Sequence, residues 1–397
     1  MRLPFFGGRA AAPAVEAKAS RTAALIAFDL KGRPAWTPRD YAALAREGFA
    51  RNPVAYRSVR MVAEAAASVP WLLYEGAAEL ERHPLLDLLS RPNRHQAGVA
   101  FREALVGHLL VAGNAYVEAV ELDGTVRELH ALRPDRMKVV PGGDGWPAGY
   151  EYTVGGRTVR FADPGDDGVA PVLHLAFFHP LNDHYGFAPI EAAATALDIH
   201  NAAAAWNKAL LDNSARPSGA LVYQAKEGGN LSQEQYERLK DELEASFVGA
   251  VHAGRPLLLE GGLDWKPLSL TPKDMDFMAA KDGAAREIAL AFGVPPMLLG
   301  IPGDNTYANY QEANRAFWRQ TVLPLCGRLA EALGGWLGPA FAGEGGALRL
   351  WYDADQVEAL SPEREALWAR VGAADFLTAD EKRAAVGYGP RDAAGGG

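Results

Sequence analysis

Two long stretches with helix-forming composition flank a short segment of mixed strand and helix character. The first runs from Pro189 to Ser214 and is rich in alanine, the best helix former. The second runs from about Pro272 to Phe292, where a cluster of Gly and Pro residues stops it. Between them, residues 216–270 show a β-α-β-β pattern. A chain with this pattern is predicted to form a helix pair that carries a small inserted module.

A third long helix is predicted after the pair. It begins at Tyr307, behind a loop rich in Gly, Pro and Asn, and is expected to run to Gly334 or Gly335 with a kink at Pro324. This arrangement of helices is more informative than any catalytic motif in the chain.

The first half of the chain alternates helix and strand signals. Asn52-Pro53 is an N-cap followed by proline at the first helical position, and Gly113 is placed to end a helix from Phe101 to Ala112. Asp123-Gly124 and Gly155-Gly156 separate β-rich runs and predict two hairpins. The predicted fold class is therefore α+β.

Composition narrows the possible functions. At 397 residues the chain is long enough for two or more structural units. Forty basic and 49 acidic residues give a net charge of −9, which argues against a surface that grips nucleic acid by neutralising phosphates. The single cysteine, Cys326, excludes a disulfide within the chain and a cysteine-based metal site, and it fits a reducing cytoplasm. No apolar run reaches the ~18 residues of a membrane span.

The chain carries no recognisable catalytic motif. It has no phosphate-binding loop, no dinucleotide fingerprint, no nucleophile elbow and no zinc-protease helix motif. His174, His179 and His184 recur at a spacing of five, which places them on no common face of a helix or strand and makes a metal site a weak hypothesis. We therefore expect no catalytic residue, no cofactor and no metal, and a protein that is not an enzyme.

Several segments resemble the smaller type of tailed-bacteriophage portal protein, the head–tail connector found in siphophages and gene transfer agents. The resemblance runs from about residue 50 to residue 335, and it is carried by the following segments: Asn52-Pro53-Val54-Ala55-Tyr56-Arg57, Gly113-Asn114-Ala115-Tyr116, Tyr185-Gly186-Phe187-Ala188-Pro189-Ile190, and Gly293 to Gly300 followed by Asn305-Thr306-Tyr307-Ala308-Asn309.

The resemblance implies a portal fold assembled as a ring of twelve subunits at one capsid vertex. Such a ring is the conduit for DNA packaging and ejection, and it docks first the terminase motor and then the head–tail adaptor. The implied partners are other copies of the chain, double-stranded DNA bound without sequence specificity, the large terminase subunit, the major capsid protein and the adaptor, with no membrane. The implied location is the portal vertex of a virion or phage-like particle assembled in the bacterial cytoplasm.

The same resemblance divides the chain into the parts of a portal subunit. Residues 1–35, which lack sustained periodicity, are predicted as a disordered N-terminal arm. The remaining assignments are these: wing, 36–187 and 308–355; stem helices, 188–214 and 272–292; clip, a small α/β module, 215–271; tunnel loop, 293–307; short helical crown and disordered tail, 356–397.

The tunnel loop supplies the candidate site. The residues expected to face DNA are Gly303, Asp304, Asn305, Thr306, Tyr307 and Asn309, and the expected hinges are Gly293, Pro295, Pro296 and Gly300. Because Ile301–Asn309 contains no Lys or Arg, contacts there would be neutral and exchangeable, so DNA could slide. Asn305 or Thr306 could equally serve as an ordinary helix cap, and the two roles are compatible.

Two alternatives remain open from the sequence. One is a ring or scaffold protein that never contacts DNA. The other, less favoured, is a soluble enzyme with an unrecognised active site, which would need a pocket with convergent titratable groups.

Overall fold

A computed structural model describes most of the chain between residues 36 and 387. The described ranges are 36–76, 78–143, 145–162, 168–212, 219–223, 232–234, 237–238, 263–267, 277–303, 306–343 and 346–387. Contacts within the chain group Thr37–Gly397 into one unit, apart from Met1–Trp36, and the description below concerns that unit. The predicted N-terminal arm, most of the predicted clip and the end of the predicted tail lie outside the described residues.

The described part of the first half contains four α-helices. They are α1, Tyr41–Leu44, which continues as a π-helix over Ala45–Ala50; α2, Pro53–Ser68; α3, Pro84–Ser90; and α4, Gly98–Ala112.

Helices α2 and α4 pack against each other and hold the centre of the core. Val59 and Val62 of α2 and Leu105 and Leu109 of α4 are all at most 2% exposed. The predicted end of α4 is confirmed, because Gly113 follows it in the left-handed conformation with φ of +71°.

The strands of the first half form antiparallel sheets. Their bounds are β1, Trp71–Glu75; β2, Ala78–Glu79; β3, Asn114–Leu122; β4, Thr125–Leu132; β5, Met137–Pro141; β6, Pro147–Val154; β7, Arg157–Ala162; and β8, Val172–Ala176. One sheet has the order β4-β3-β8 and another the order β5-β6-β7.

Both predicted hairpins are confirmed. Asp123 and Gly124 have φ angles of +53° and +73°, and Gly155 and Gly156 have +55° and +77°. Positive φ at both turn residues is the geometry that matches the twist of the two strands.

A third sheet joins the two ends of the unit. Strand β11, Leu348–Tyr352, pairs antiparallel with β1, with Leu73 opposite Leu350, and β1 also pairs with β2. Leu73 and Leu350 are both buried, so the pairing closes the core.

The first predicted long helix is interrupted near its start. Helix α5, Pro189–Ala192, ends at Ala193, whose N–H bonds back to Glu191 and Pro189, and α6, Ala194–Asp212, follows. Helix α6 packs along α7, Phe277–Ala291, the described part of the second predicted helix. Between them in sequence, β9, Gly219–Tyr223, pairs antiparallel with β10, Leu263–Pro267.

The third predicted helix exists but differs in two ways. Helix α8, Tyr307–Phe317, passes through a π-helical turn, Trp318–Val322, into α9, Leu323–Phe341. Pro324 has no N–H to donate, and its ring crowds the preceding turn. The wider π-helical turn accommodates both effects. The predicted end at Gly334 or Gly335 is wrong, because α9 continues to Phe341. A Cβ on Gly334 would lie 3.0 Å from Leu350, so the glycine allows close contact between the helix and β11.

Two short helices follow β11. They are α10, Ser361–Gly372, and α11, Ala379–Ala385, which begins with a capping box between Thr378 and Glu381. Neither helix contains a buried residue. Among the described residues, no helix combines the length and apolar character needed to cross a membrane.

Candidate nucleic-acid interface

The segment that joins α7 to α8 begins at Gly293. With φ of +66°, Gly293 turns the chain out of α7, and its N–H bonds to Leu290 O at 3.0 Å. Its carbonyl accepts a hydrogen bond from Thr321 Oγ1 at 2.7 Å. A Cβ at this position would lie 2.6 Å from that hydroxyl oxygen, so the contact requires glycine. The start of the segment is thus attached to the π-turn between α8 and α9.

The first part of this segment is folded, although the sequence predicts an open loop there. Pro296–Leu299 forms a 3₁₀ turn, Gly300 follows with φ of +72°, and Ile301 N donates to Pro296 O at 3.2 Å. Ile301 is buried against Ala285 and Ala289 of α7. The apolar side chains of this part reach the core, and their burial favours a packed turn over a loop.

The four predicted hinge residues all lie in this folded part. Gly293 and Gly300 hold fixed left-handed conformations, and Pro295 and Pro296 begin the 3₁₀ turn. Their role as hinges stays a prediction.

The second part of the segment is exposed. Pro302 and Gly303 are exposed, and a guanidinium Nη2 of Arg286 on α7 donates a hydrogen bond to the Pro302 carbonyl. Asp304 and Asn305, two of the predicted DNA-facing residues, lie outside the described residues.

Helix α8 begins where the exposed part ends. Thr306 is its N-cap, and Thr306 Oγ1 accepts from Asn309 N at 3.2 Å, which confirms the capping role considered for it. Tyr307 is 77% exposed and Tyr310 is 48% exposed. The predicted residues Thr306, Tyr307 and Asn309 therefore share the exposed first turn of one helix.

This surface has no positive charge of its own. From Gly293 to Asn314 the sequence contains no Lys or Arg, and Arg286 approaches it from a neighbouring helix. The hydroxyl and amide groups of Tyr307 and Asn309 can form hydrogen bonds to phosphate or sugar without forming ion pairs. Such a surface can position a nucleic acid while holding it weakly.

Of the histidines considered as metal ligands, His174 contacts neighbouring protein side chains. His174 Nε2 bonds to Asn114 Oδ1 at 2.9 Å, and the His174 ring stacks on Tyr116 with centroids 4.3 Å apart. Burial lowers the pKa of His174 to about 4, so the ring is neutral and structural. Within the described ranges, no three His, Cys, Asp or Glu side chains lie close enough to share a metal ion.

A cavity of about 460 Å³ lies beside α1, α2 and α4, away from this surface. Its walls are mostly apolar, with Arg60, Glu103 and His108 among them. Arg60 bonds to Glu64, and burial lowers the pKa of His108 to about 4. These groups do not form the nucleophile–base arrangement that the enzyme alternative needs.

Comparison with known proteins decides the family. A sequence model described as phage portal protein matches residues 53–387. The chain belongs to the phage portal protein family.

Chains from solved GTA particles share the fold at high identity. A chain in the neck of an empty gene transfer agent (GTA) particle, computed with C6 symmetry, is 55% identical, with a TM-score of 0.70 over 92% of this chain and 98% of that one. A chain in the neck of a native GTA particle, computed with C12 symmetry, is 56% identical, with a TM-score of 0.68 over 94% and 100%. A protein of Rickettsia bellii strain RML369-C is 42% identical over 344 residues, 86% of this chain and 88% of its own.

The α+β class and the portal fold predicted from the sequence are confirmed. Sequence reasoning missed two residues of the candidate site, Arg286 and Thr321. Both act on the segment from other helices, through bonds that span 16 and 28 residues. Arg286 precedes the segment on a separate predicted helix, so no local pattern marked it.

Proposed function

We propose that this chain is a portal subunit and that twelve copies form a closed ring at the neck of a phage-like particle. The observation that carries the proposal is the 56% identity, along 94% of this chain, to a chain in the neck of a native GTA particle computed with C12 symmetry. Ring closure with one kind of subunit needs two different complementary surfaces on each copy. The ring would be the conduit through which DNA enters and leaves the particle.

The described elements support a division into portal parts. The chain leaves the first-half core along α6 and returns along α7, and β9 and β10 pair in the sequence between them. We assign α6 and α7 to the stem within 188–214 and 272–292, the β9–β10 ribbon to the base of the clip at 215–271, and the core of 36–187 and 308–355 to the wing. Helices α10 and α11 belong to the short crown within 356–397.

The DNA-contacting part of the ring is proposed to be the exposed turn at Gly303, Thr306, Tyr307 and Asn309. Its exposure and lack of positive charge support this role, because a ring without cationic contacts holds phosphate weakly and lets the duplex slide. Asp304 and Asn305 belong to the same proposal on the sequence alone.

The partners follow from this role. The ring would receive the large terminase subunit during packaging and the head–tail adaptor afterwards, and it would contact the major capsid protein at the vertex. Assembly would take place in the bacterial cytoplasm, and the subunit would contribute no catalytic residue. A ring that never contacts DNA is the competing function, and the exposed neutral turn of α8 favours the conduit.

The experiment that tests the proposal combines native mass measurement with negative-stain imaging of the purified chain, and then counts DNA-filled particles in cells that lack the gene. Rings with a hole wide enough for a duplex, together with loss of DNA-filled particles in the deletion strain, support the conduit. A chain that stays monomeric at every concentration and whose deletion leaves DNA-filled particles contradicts it. A ring that forms while deletion leaves DNA content unchanged supports the competing scaffold.

A further inference from the structure

The exposed end of the segment between α7 and α8 is held by one side chain from the proposed stem. Arg286 lies in the last two turns of α7 and is itself exposed. Its Nη2 donates to the carbonyl of Pro302, which is the point where the chain leaves the packed turn. A guanidinium that donates to a neutral carbonyl keeps its charge but gives that carbonyl a strong, directional partner.

Gly303 allows this bond. A Cβ built on Gly303 would lie 2.9 Å from Nη2 of Arg286, closer than real Cβ contacts come. Nothing else limits alanine there, because the backbone of Gly303 lies outside the left-handed region. Alanine at Gly303 would therefore push the flexible arginine away without straining the main chain or changing the charge.

The opposite end of the segment is held independently. Thr321 Oγ1 bonds to Gly293 O, and between the two attachments Ile301 is buried against α7. Beyond these fixed points, Pro302 and Gly303 are exposed. The bond from Arg286 holds this exposed part to α7.

We propose that Arg286 is a positioning residue of the portal: it fixes Pro302 on the stem helix and thereby sets where the first turn of α8, with Thr306 and Tyr307, meets DNA. This inference rests on the proposed function. Arg286 acts through the main chain of Pro302 and does not itself bind phosphate.

The experiment uses five single variants and one double variant of the full chain, in a strain that lacks the native gene. The double variant combines Arg286→Met with Gly303→Ala, and the fifth single variant, Tyr307→Ala, removes a proposed DNA contact. Arg286→Met and Gly303→Ala both remove the bond, the first with loss of a charge and the second without. Arg286→Lys keeps a donor of similar reach. Gly335→Ala is the matched control for adding a methyl group, because a Cβ there meets nothing within 4 Å.

Two readouts are taken for each variant that forms rings in negative stain. The first is amide hydrogen exchange of the purified ring at Ile301 and Tyr310, which needs no DNA. The second is the fraction of particles that contain nuclease-protected DNA. Loss of one hydrogen bond shifts a local opening equilibrium about fivefold, so Arg286→Met and Gly303→Ala should exchange about fivefold faster at these amides.

The expected result is that Arg286→Met and Gly303→Ala reduce DNA-filled particles to the same extent, that their double variant is no worse than either alone, and that Arg286→Lys and Gly335→Ala match the parent. Equal effects and a non-additive double variant show that both changes break one interaction.

Two results would overturn the inference. Normal DNA filling with Gly303→Ala but loss with Arg286→Met would show that the charge meets phosphate directly. Unchanged exchange in both variants would show that the bond holds nothing. Failure of the proposed function is distinguishable: exchange would rise as expected while DNA filling stayed at the parent level in every variant, including Tyr307→Ala.

Discussion

The side-chain amide of Asn52 donates a hydrogen bond to Nδ1 of His200 at 3.1 Å, and both side chains are buried. Asn52 is also the N-cap of α2, because its Oδ1 accepts from Val54 N and Ala55 N. The amide must then face His200, which fixes the neutral tautomer with its proton on Nε2. One side chain therefore starts a helix of the proposed wing and joins it to a helix of the proposed stem.

Changing Asn52 to Asp should preserve the N-cap of α2 and remove the hydrogen bond to His200. Aspartate caps a helix as well as asparagine but cannot donate to His200, so we expect a loss of about 1–3 kcal/mol in the free energy of unfolding at about pH 8. In the parent, burial lowers the pKa of His200, with Lys281 adding to that effect and Asp282 opposing it, so the neutral ring is favoured and stability falls as pH drops below 6.5.

In Asn52→Asp the new carboxylate raises the pKa of His200, so its contribution is present at low pH and is lost as pH rises. The gap in thermal midpoint between variant and parent should therefore narrow from about pH 8 to about pH 6. Asn52→Ala, which loses cap and donor but adds no charge, should keep most of its gap. A gap in Asn52→Asp that is constant with pH would contradict the assigned tautomer and contact.

Gly113 and Gly186 approach each other through their backbones. A Cβ on Gly113 would lie 2.3 Å from Gly186 O, and Gly113 also has φ of +71°. Gly113→Ala should destabilise the protein by about 4 kcal/mol or more, measured by urea unfolding, because the clash involves main chain that cannot move aside.

Gly124→Ala is the matched control for that change. Gly124 has nearly the same φ, +73°, but a Cβ there meets nothing within 4 Å. It should show only the cost of the left-handed conformation, about 1–2 kcal/mol. Equal costs for the two variants would mean that the close approach is unimportant.

Acid should destabilise the fold through His108 and His174, which are both partly buried. Burial lowers the pKa of both His108 and His174 from 6.5 to about 4, so the unfolded chain binds more protons between these values. Their contribution to stability is complete above pH 6.5 and is lost as pH falls towards 4. His174→Gln keeps a donor for Asn114 and removes one titration, so the thermal midpoint should fall less steeply over this range. A slope identical to the parent's would refute this assignment.

Cys326 should report unfolding. The thiol is 1% exposed, and burial raises its pKa to about 11. Since only the thiolate reacts, alkylation at about pH 8 should be about 100-fold slower in the folded protein than in denaturant. Cys326→Ala supplies the blank, because the chain has no other cysteine. Rapid labelling without denaturant would show that the helix carrying Cys326 opens readily.

Local signals predicted the local features of the fold. Asn52 and Gly113 were identified as helix ends, and Asp123-Gly124 as a turn, because each feature depends on the conformation of one or two residues. The break at Ala193 left no such signal, since alanine favours helix on both sides. The pairing of β1 with β11 joins residues nearly 280 positions apart, and it follows from burial of Leu73 and Leu350 instead of any nearby pattern.

The candidate site shows the same limit. The sequence indicated the exposed residues at the start of α8, and Thr306 is the cap considered for it. The packed turn before them was predicted as a loop, because its Gly and Pro residues are typical of loops. In the structure its apolar side chains pack into the core instead. The contact of Arg286 with Pro302 could not be predicted, because it depends on how the fold places α7 beside the segment.

The antiparallel ribbon of β9 and β10 brings the two ends of the stretch between them together. Gly219 pairs with Pro267 and Tyr223 with Leu263, so whatever lies between Tyr223 and Leu263 starts and finishes on adjacent strands. The residues between Tyr223 and Leu263 can be replaced as a unit, because pairing keeps these two residues one strand spacing apart. Changes of length or sequence between Tyr223 and Leu263 can therefore be accommodated without moving the ends of the ribbon.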